Sequence, residues 1–178
     1  RHGMRPDYPS IVYSKILKQL FPDVPVVLGG IEASLRRLTH YDYWEDKLKK
    51  CILCESGADI ILYGMGEKNT LQLCRELENG RSIKDVKDIP QTVYLAKKED
   101  IPGGITDTDI VLHSHEECLR NKKAQAENFR HIEEESNKMH AQRLIQGVDH
   151  QFAVVNPPYP PMTTEELDAA FDLPYTRM

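Results

Sequence analysis

The sequence predicts an α/β fold built on a parallel sheet with flanking helices, and three observations carry that reading. Two short apolar runs, Val24 to Leu28 and Asp59 to Tyr63, have the near-continuous, β-branched character of strands buried on both faces. About thirty residues lie between them, including a charged stretch from Tyr43 to Cys54 that reads as helix, so the spacing is that of a strand–crossover–strand unit. Each run also ends in glycines, Gly29-Gly30 after the first and Gly64-Met65-Gly66 after the second. Strand ends of this kind are where open α/β sheets bind ligands.

The other elements follow in chain order. Pro9-Ser10 ahead of Val12, Ile16 and Leu20 predicts a capped amphipathic helix, because those apolar positions share one face. Glu67 to Leu77 predicts another, with Leu71, Cys74 and Leu77 on one side and Gly80 as its stop. Thr92 to Leu95 and Asp109 to Leu112 read as strands separated by the Pro102-Gly103-Gly104 turn. From Ser114 to Gly147 there is no proline, and six acidic and six basic residues surround a thin apolar series. That pattern predicts one long, charged, largely exposed helix. Gln151 to Val155 is a further strand candidate. Pro157, Pro158, Pro160, Pro161 and Pro174 then make an extended terminal segment, interrupted by a short helix near Thr164 to Leu167. The expected divisions are therefore an α/β domain over 1–112, a long charged helix over 113–150, and a Pro-rich connector over 151–178.

Composition narrows the function classes. With 40% hydrophobic and 29% charged residues the chain is globular, and 23 Lys and Arg against 28 Asp and Glu give a net charge of −5. This argues against a nucleic-acid partner, which calls for a basic face. Nothing approaches the roughly 18 apolar residues of a membrane span. The opening Arg1-His2-Gly3-Met4-Arg5 carries no apolar segment of a signal peptide. Four cysteines in 178 residues are too few for a disulfide scaffold, and a cytoplasmic location is expected. A first residue other than Met suggests a piece of a longer protein.

Three groups of residues could carry chemistry. Gly29, Gly30, Glu32, Ser34, Gly64, Gly66 and Glu67 would form the edge of a ligand crevice, with glycine allowing φ > 0 and close ligand approach. The alternative is a pair of tight strand-to-helix turns. Neither element matches a dinucleotide or P-loop fingerprint, which argues against NAD and ATP. His40, Tyr41, Asp42, Tyr43 and Trp44 combine aromatic faces with titratable groups and would form a pocket wall, or else staple a helix end. Cys51 and Cys54 form a CxxC, but Cys74 and Cys118 are single and distant, so two buried apolar thiols are the favoured reading over metal. His113, His115, His131 and His140 fall on the charged stretch as surface histidines; no metal site is expected.

Several stretches, taken together, resemble one family: Arg5-Pro6-Asp7 with Ile11-Val12-Tyr13, PVVLGGIEASLRR from Pro25 to Arg37, and His40-Tyr41-Asp42-Tyr43-Trp44. To these add ADIILYGMGE from Ala58 to Glu67, Val154 to Pro158, and Phe171 to Tyr175. The series is similar to the YgiQ-like radical SAM iron–sulfur proteins, in the region ahead of their CxxxCxxC motif. The resemblance implies a [4Fe–4S] cluster and S-adenosylmethionine in the full-length protein, with no cofactor in this region. It also implies a partial Rossmann-like, cobalamin-binding-like domain whose first strands lie outside the chain, although the DxHxxG stretch that supplies a cobalt-ligating His is not present. The expected role is an accessory domain that positions a substrate or partner over the radical SAM barrel of the same parent chain, inactive by itself. The alternatives are a non-catalytic interaction module working through 114–147 and a small-molecule or corrinoid-binding module.

Overall fold

The computed structural model describes residue 3 and residues 6–176, so Arg5 and Arg177-Met178 lie outside the described residues. Helix α1 (Pro9–Leu20) starts with proline in its first turn, where the missing N–H costs nothing. It packs on the short helix α3 (Ile52–Ser56) and buries Ile11 and Ser14 rather than the expected Val12–Ile16–Leu20 stripe; Ile16 and Leu20 stay exposed. Strand β1 (Val27–Leu28) leads into α2 (Gly30–Leu35), and β4 (Ile60–Leu62) returns parallel to β1 with Val27 opposite Ile60. The expected parallel pair is therefore present.

Within the crossover, the stretch from Tyr43 to Cys54 is not the expected helix. Residues 40–49 form a hairpin of β2 (His40–Asp42) and β3 (Lys47–Lys49), and only α3 (Ile52–Ser56) is helical. The buried Asp42 carboxylate decides this, because its Oδ1 accepts the Trp44 and Glu45 amides at 3.0 and 3.2 Å and closes a turn. An aspartate that captures nearby amides competes with helical hydrogen bonding.

The main sheet is mixed rather than parallel. Its six strands run β1-β4-β5-β8-β7-β6, with β5 (Thr92–Ala96), β6 (Ile110–Leu112), β7 (Leu144–Val148) and β8 (Gln151–Val155) completing it. Only β1·β4 and β6·β7 are parallel; β4·β5, β5·β8 and β8·β7 are antiparallel. A strand's own sequence carries its burial but not the direction of its neighbour, which depends on how the connection returns. After α4 (Glu67–Glu78) the chain comes back through a short 3₁₀ turn and enters β5 reversed.

The long charged helix is likewise corrected. Ser114 and Glu117 form a capping box at the start of α5 (His115–Arg120). Asn121 is extended, at φ −138° and ψ 106°, and its side chain caps α6 (Lys122–Ser136) by accepting the Lys123 amide. Residues 144–148, expected at the helix end, are instead the penultimate strand β7. A two-residue turn at Asp149-His150, with Asp149 at φ 52°, joins β7 to β8. Gln146 disguised this strand: it is buried, and its amide accepts from the Thr39 backbone at 2.8 Å and donates to the His113 carbonyl at 3.0 Å. One sheet therefore runs across the expected divisions at 112 and 150.

The core follows the pleat. In β4, Ile61 faces Ile52, Leu53, Val93 and Ala153, whereas Ile60 and Leu62 face Leu73, Val86 and Ile89. A third cluster holds Tyr94, Ile145 and Val154. After β8, residues 157–162 are irregular, and α7 (Thr164–Phe171) begins with a Thr163–Glu166 capping box. Among the described residues no helix is long and apolar enough to cross a membrane.

Candidate functional site

The two glycine loops meet at the ends of β1 and β4. Gly29 precedes α2, Gly30 takes φ +78°, and Gly64 takes φ +67°, a region that side-chain-bearing residues rarely occupy. Ser34 joins the loops: its hydroxyl donates to the Gly30 carbonyl at 2.8 Å and accepts the Gly64 amide at 3.1 Å. Gly66 caps α4, with Glu67 exposed at its first position. Glu32 turns away, accepting from Ser10 at 2.5 Å and lying 3.4 Å from Arg36, so it fixes α1 against α2. Gly29, Gly30, Gly64 and Gly66 thus lie in one loop pair tied together by Ser34 of α2, while Glu32 turns away and Glu67 is exposed.

Sequence reasoning missed the residue that organises these loops. Gln91 follows Pro90, is buried, and holds a left-handed backbone at φ 60°. Its side-chain amide donates to the Tyr63 carbonyl at 2.7 Å and to the Met65 carbonyl. Its Oε1 accepts the Tyr159 amide at 3.3 Å, and its backbone carbonyl accepts from the buried Asn69 at 2.9 Å. The need to bury Asn69 rotates α4, which buries Leu73 and exposes the expected Leu71 and Cys74. Asn156 plays a similar part beneath, donating to the carbonyls of Lys87 and Ile89 and to Thr92. Isolated amides in loops have no periodicity by which they could be found.

The Pro-rich residues fold over this platform. Tyr159 bonds to Gln72, Lys68 stands 5.9 Å from the Tyr159 ring, and Lys68 pairs with Glu166 at 2.7 Å. A cavity of about 230 Å³ remains between Gly64, Met65, Lys68 and Gln91 on one side and Tyr159 and Met162 on the other. Tyr63 lines it as well; burial pushes its phenol up to about 12, against the pull of the Arg37 guanidinium above its ring.

The expected aromatic wall divides. His40 and Tyr41 line a second cavity of about 450 Å³, bounded on the far side by α6. Asp42 is buried as the hairpin lock; burial alone raises its pKa, but the Glu45 and Trp44 amides and the Arg36 charge bring it below the ordinary value. Tyr43 and Trp44 are exposed and lie against each other, ring centres 4.8 Å apart.

The cysteines do not converge. Cys51 is buried; its thiol is pushed up by its hydrogen bond to Cys54 and by burial, and the same bond lowers Cys54. Cys74 is exposed on α4, and Cys118 is buried against Asn128. The histidines are similarly dispersed: His113 pairs with Glu127 at 2.7 Å, His115 is buried against Thr39 at 3.1 Å, and His131 lies beside Glu134.

Comparison of the sequence with known proteins shows its family. Residues 1–178 match the family described as radical SAM N-terminal. The chain belongs to that family. It is 58% identical to a UPF0313 protein of Bacteroides thetaiotaomicron and 55% identical to one of Porphyromonas gingivalis, over 100% of its length in both cases. It is 41% identical to a UPF0313 protein of Methanocella arvoryzae over 99% of its length. The chain spans only 30%, 28% and 29% of those relatives, and no solved structure matches it significantly. This radical SAM N-terminal region is thus a part of much longer relatives. The family implies a [4Fe–4S] cluster and S-adenosylmethionine for the full protein. The residues here do not fit a cluster, which needs three or four converging thiolates. Among the described residues no three His, Cys, Asp or Glu side chains are grouped to hold a metal ion.

Proposed function

We propose that this radical SAM N-terminal region is an accessory module that positions a substrate or partner for the barrel of the same parent chain and holds no cluster itself. The observation that supports this most is the small cavity where Gly64 and Met65, fixed by Gln91, face the Pro-rich residues around Tyr159 and Met162. It lies at the strand-end position where α/β sheets bind ligands, and its cover is the segment proposed to connect toward the barrel. Glycine at 64 leaves the loop free of a side chain that would approach Gln91 at 3.1 Å. The protein is proposed to work in the cytoplasm, without nucleic-acid or membrane partners.

The test uses the full-length parent protein, reconstituted anaerobically. Met65→Trp places a large ring at the exposed edge of the cavity and should leave the iron and sulfide content unchanged. Basal S-adenosylmethionine cleavage should also be unchanged, while any stimulation of cleavage by a small-molecule cell extract should fall several-fold. Loss of iron in Met65→Trp, or stoichiometric iron and sulfide in residues 1–178 alone, would overturn the reading.

A further inference from the structure

The open edge of the sheet and the outer face of α1 carry an inference that does not depend on radical chemistry. Strand β1 is the first in the six-strand order, so among the described residues its far side pairs with no strand. On its β4 side the Val26 carbonyl accepts the Asp59 amide at 2.9 Å. Successive residues of a strand turn their backbone groups to opposite edges, so the Val27 N–H and C=O point to the open side. Such an edge is a template for a further strand.

Helix α1 is anchored at the same place: Lys18 donates to the Val24 carbonyl at 3.1 Å and pairs with Asp59 at 2.6 Å. Its inner side joins Ile11 to the core cluster that holds Ile52 and Leu53 of α3. On its other side Tyr13, Ile16, Leu17 and Leu20 keep the i, i+3, i+4, i+7 spacing of one buried helix face, yet they are 43–65% exposed. Phe21 and Val24, also exposed, continue this apolar surface from the end of α1 toward β1. Single exposed apolar residues are ordinary, but a stripe continuous with an open strand edge marks an interaction surface.

The order of the elements identifies the occupant. Strands β1 and β4 are parallel, and a helix that leads straight into a parallel strand is the second half of a strand–helix–strand crossover. These crossovers are right-handed, so two made in succession in one direction put their helices on the same face of the sheet. Helices α1 and α3 meet that condition, since they pack together. The element still required is a strand ahead of α1. The chain spans only 30%, 28% and 29% of its relatives, which leaves ample chain to supply one. We infer that the open edge of β1 and the outer face of α1 form one docking surface for a β-strand that precedes Arg1 in the parent chain, paired parallel to β1 through the Val27 backbone and covered by Ile16, Leu17 and Leu20. The carboxyl end of that strand comes beside Gly29 and Gly30, so chain ahead of Arg1 helps to build the glycine-loop platform.

The experiment uses the full-length parent protein. A photocrosslinker at position 17 (Leu17→p-benzoylphenylalanine) is irradiated over a range of protein concentrations, and the crosslinked peptides are identified by mass spectrometry. Crosslinks are expected within one chain, to a segment ahead of Arg1, with a yield independent of concentration. In the unmodified protein the Val27 amide should exchange its hydrogen about a hundredfold or more slowly than an unstructured peptide. If the crosslinker variant does not fold, Leu20→Cys should be alkylated by iodoacetamide about tenfold or more slowly in the native protein than in urea. Crosslinks to chain beyond Met178 or to a second copy, no crosslink in a folded variant, an unprotected Val27 amide, or Leu20→Cys reacting as fast as in urea would overturn the inference. Any of these results would leave the positioning role at the smaller cavity standing.

Discussion

Gln91 offers the sharpest quantitative test of how the glycine-loop platform is held. Gln91→Ala removes the donor to the Tyr63 and Met65 carbonyls and the acceptor of the Tyr159 amide. Tyr63 is half-buried, and an unsatisfied buried group costs about 1–3 kcal/mol; Met65 is exposed, so water can replace most of its lost bond. The expected loss is about 2–3 kcal/mol. Alanine keeps the unfavourable left-handed backbone at φ 60°. Gln91→Gly loses the same hydrogen bonds but relieves a left-handed penalty of about 1–2 kcal/mol, against a glycine entropy cost of about 0.5–1 kcal/mol. The glycine variant should therefore be more stable than alanine by about 0.5–1 kcal/mol, and both should be less stable than the parent. Urea unfolding at constant slope measures the order directly. An alanine variant within 0.5 kcal/mol of the parent, or a glycine variant below alanine, would refute the role given to Gln91.

Arg143 binds Asp109 through two bonds of 2.8 Å and also donates to the Pro102 and Gly104 carbonyls, with little of either charged side chain exposed. Arg143→Ala should cost about 3–5 kcal/mol by leaving Asp109 buried and unpaired, whereas Arg143→Ala with Asp109→Ala should recover part of that loss in chemical denaturation. Burial lowers the pKa of both His40 and His115, so the unfolded chain binds more protons than the folded one just below the ordinary histidine value. Stability should accordingly be full above about pH 6.5 and fall as pH drops below it, and a His115→Gln variant should show a shallower fall in pH-dependent melting. Ile61 is fully buried at the centre of the sheet, and Ile61→Ala should cost about 2–5 kcal/mol by the same urea measurement.

How much of this was legible in the sequence varied with the origin of the signal. The β4 run, the glycines that follow β1 and β4, and the helix start near Thr164 were legible because burial on both faces, φ > 0 and end-capping each restrict residue type locally; β1, read as buried on both faces, is instead an edge strand with Val27 exposed. The hairpin at 40–49 was not, because nothing in the sequence marks Asp42 as a buried carboxylate that accepts the Trp44 and Glu45 amides. Strand β7 was hidden for a related reason: Gln146 looks solvent-facing until the Thr39 amide, 107 residues away, and the His113 carbonyl, 33 residues away, are brought to it. Of the candidate site, His40 and the glycine loops could be named, but Gln91 and Asn156 could not, since an amide becomes informative only through its partners.

By itself the sequence determined the α/β class, the parallel β1–β4 unit, the strand-end glycine loops and the family, all of which rest on local pattern or on the identity of residues in order. Only the tertiary structure decided the mixed sheet, the break of the charged segment at Asn121, and which polar groups find partners. Strand direction and hydrogen-bond satisfaction are relations between distant residues.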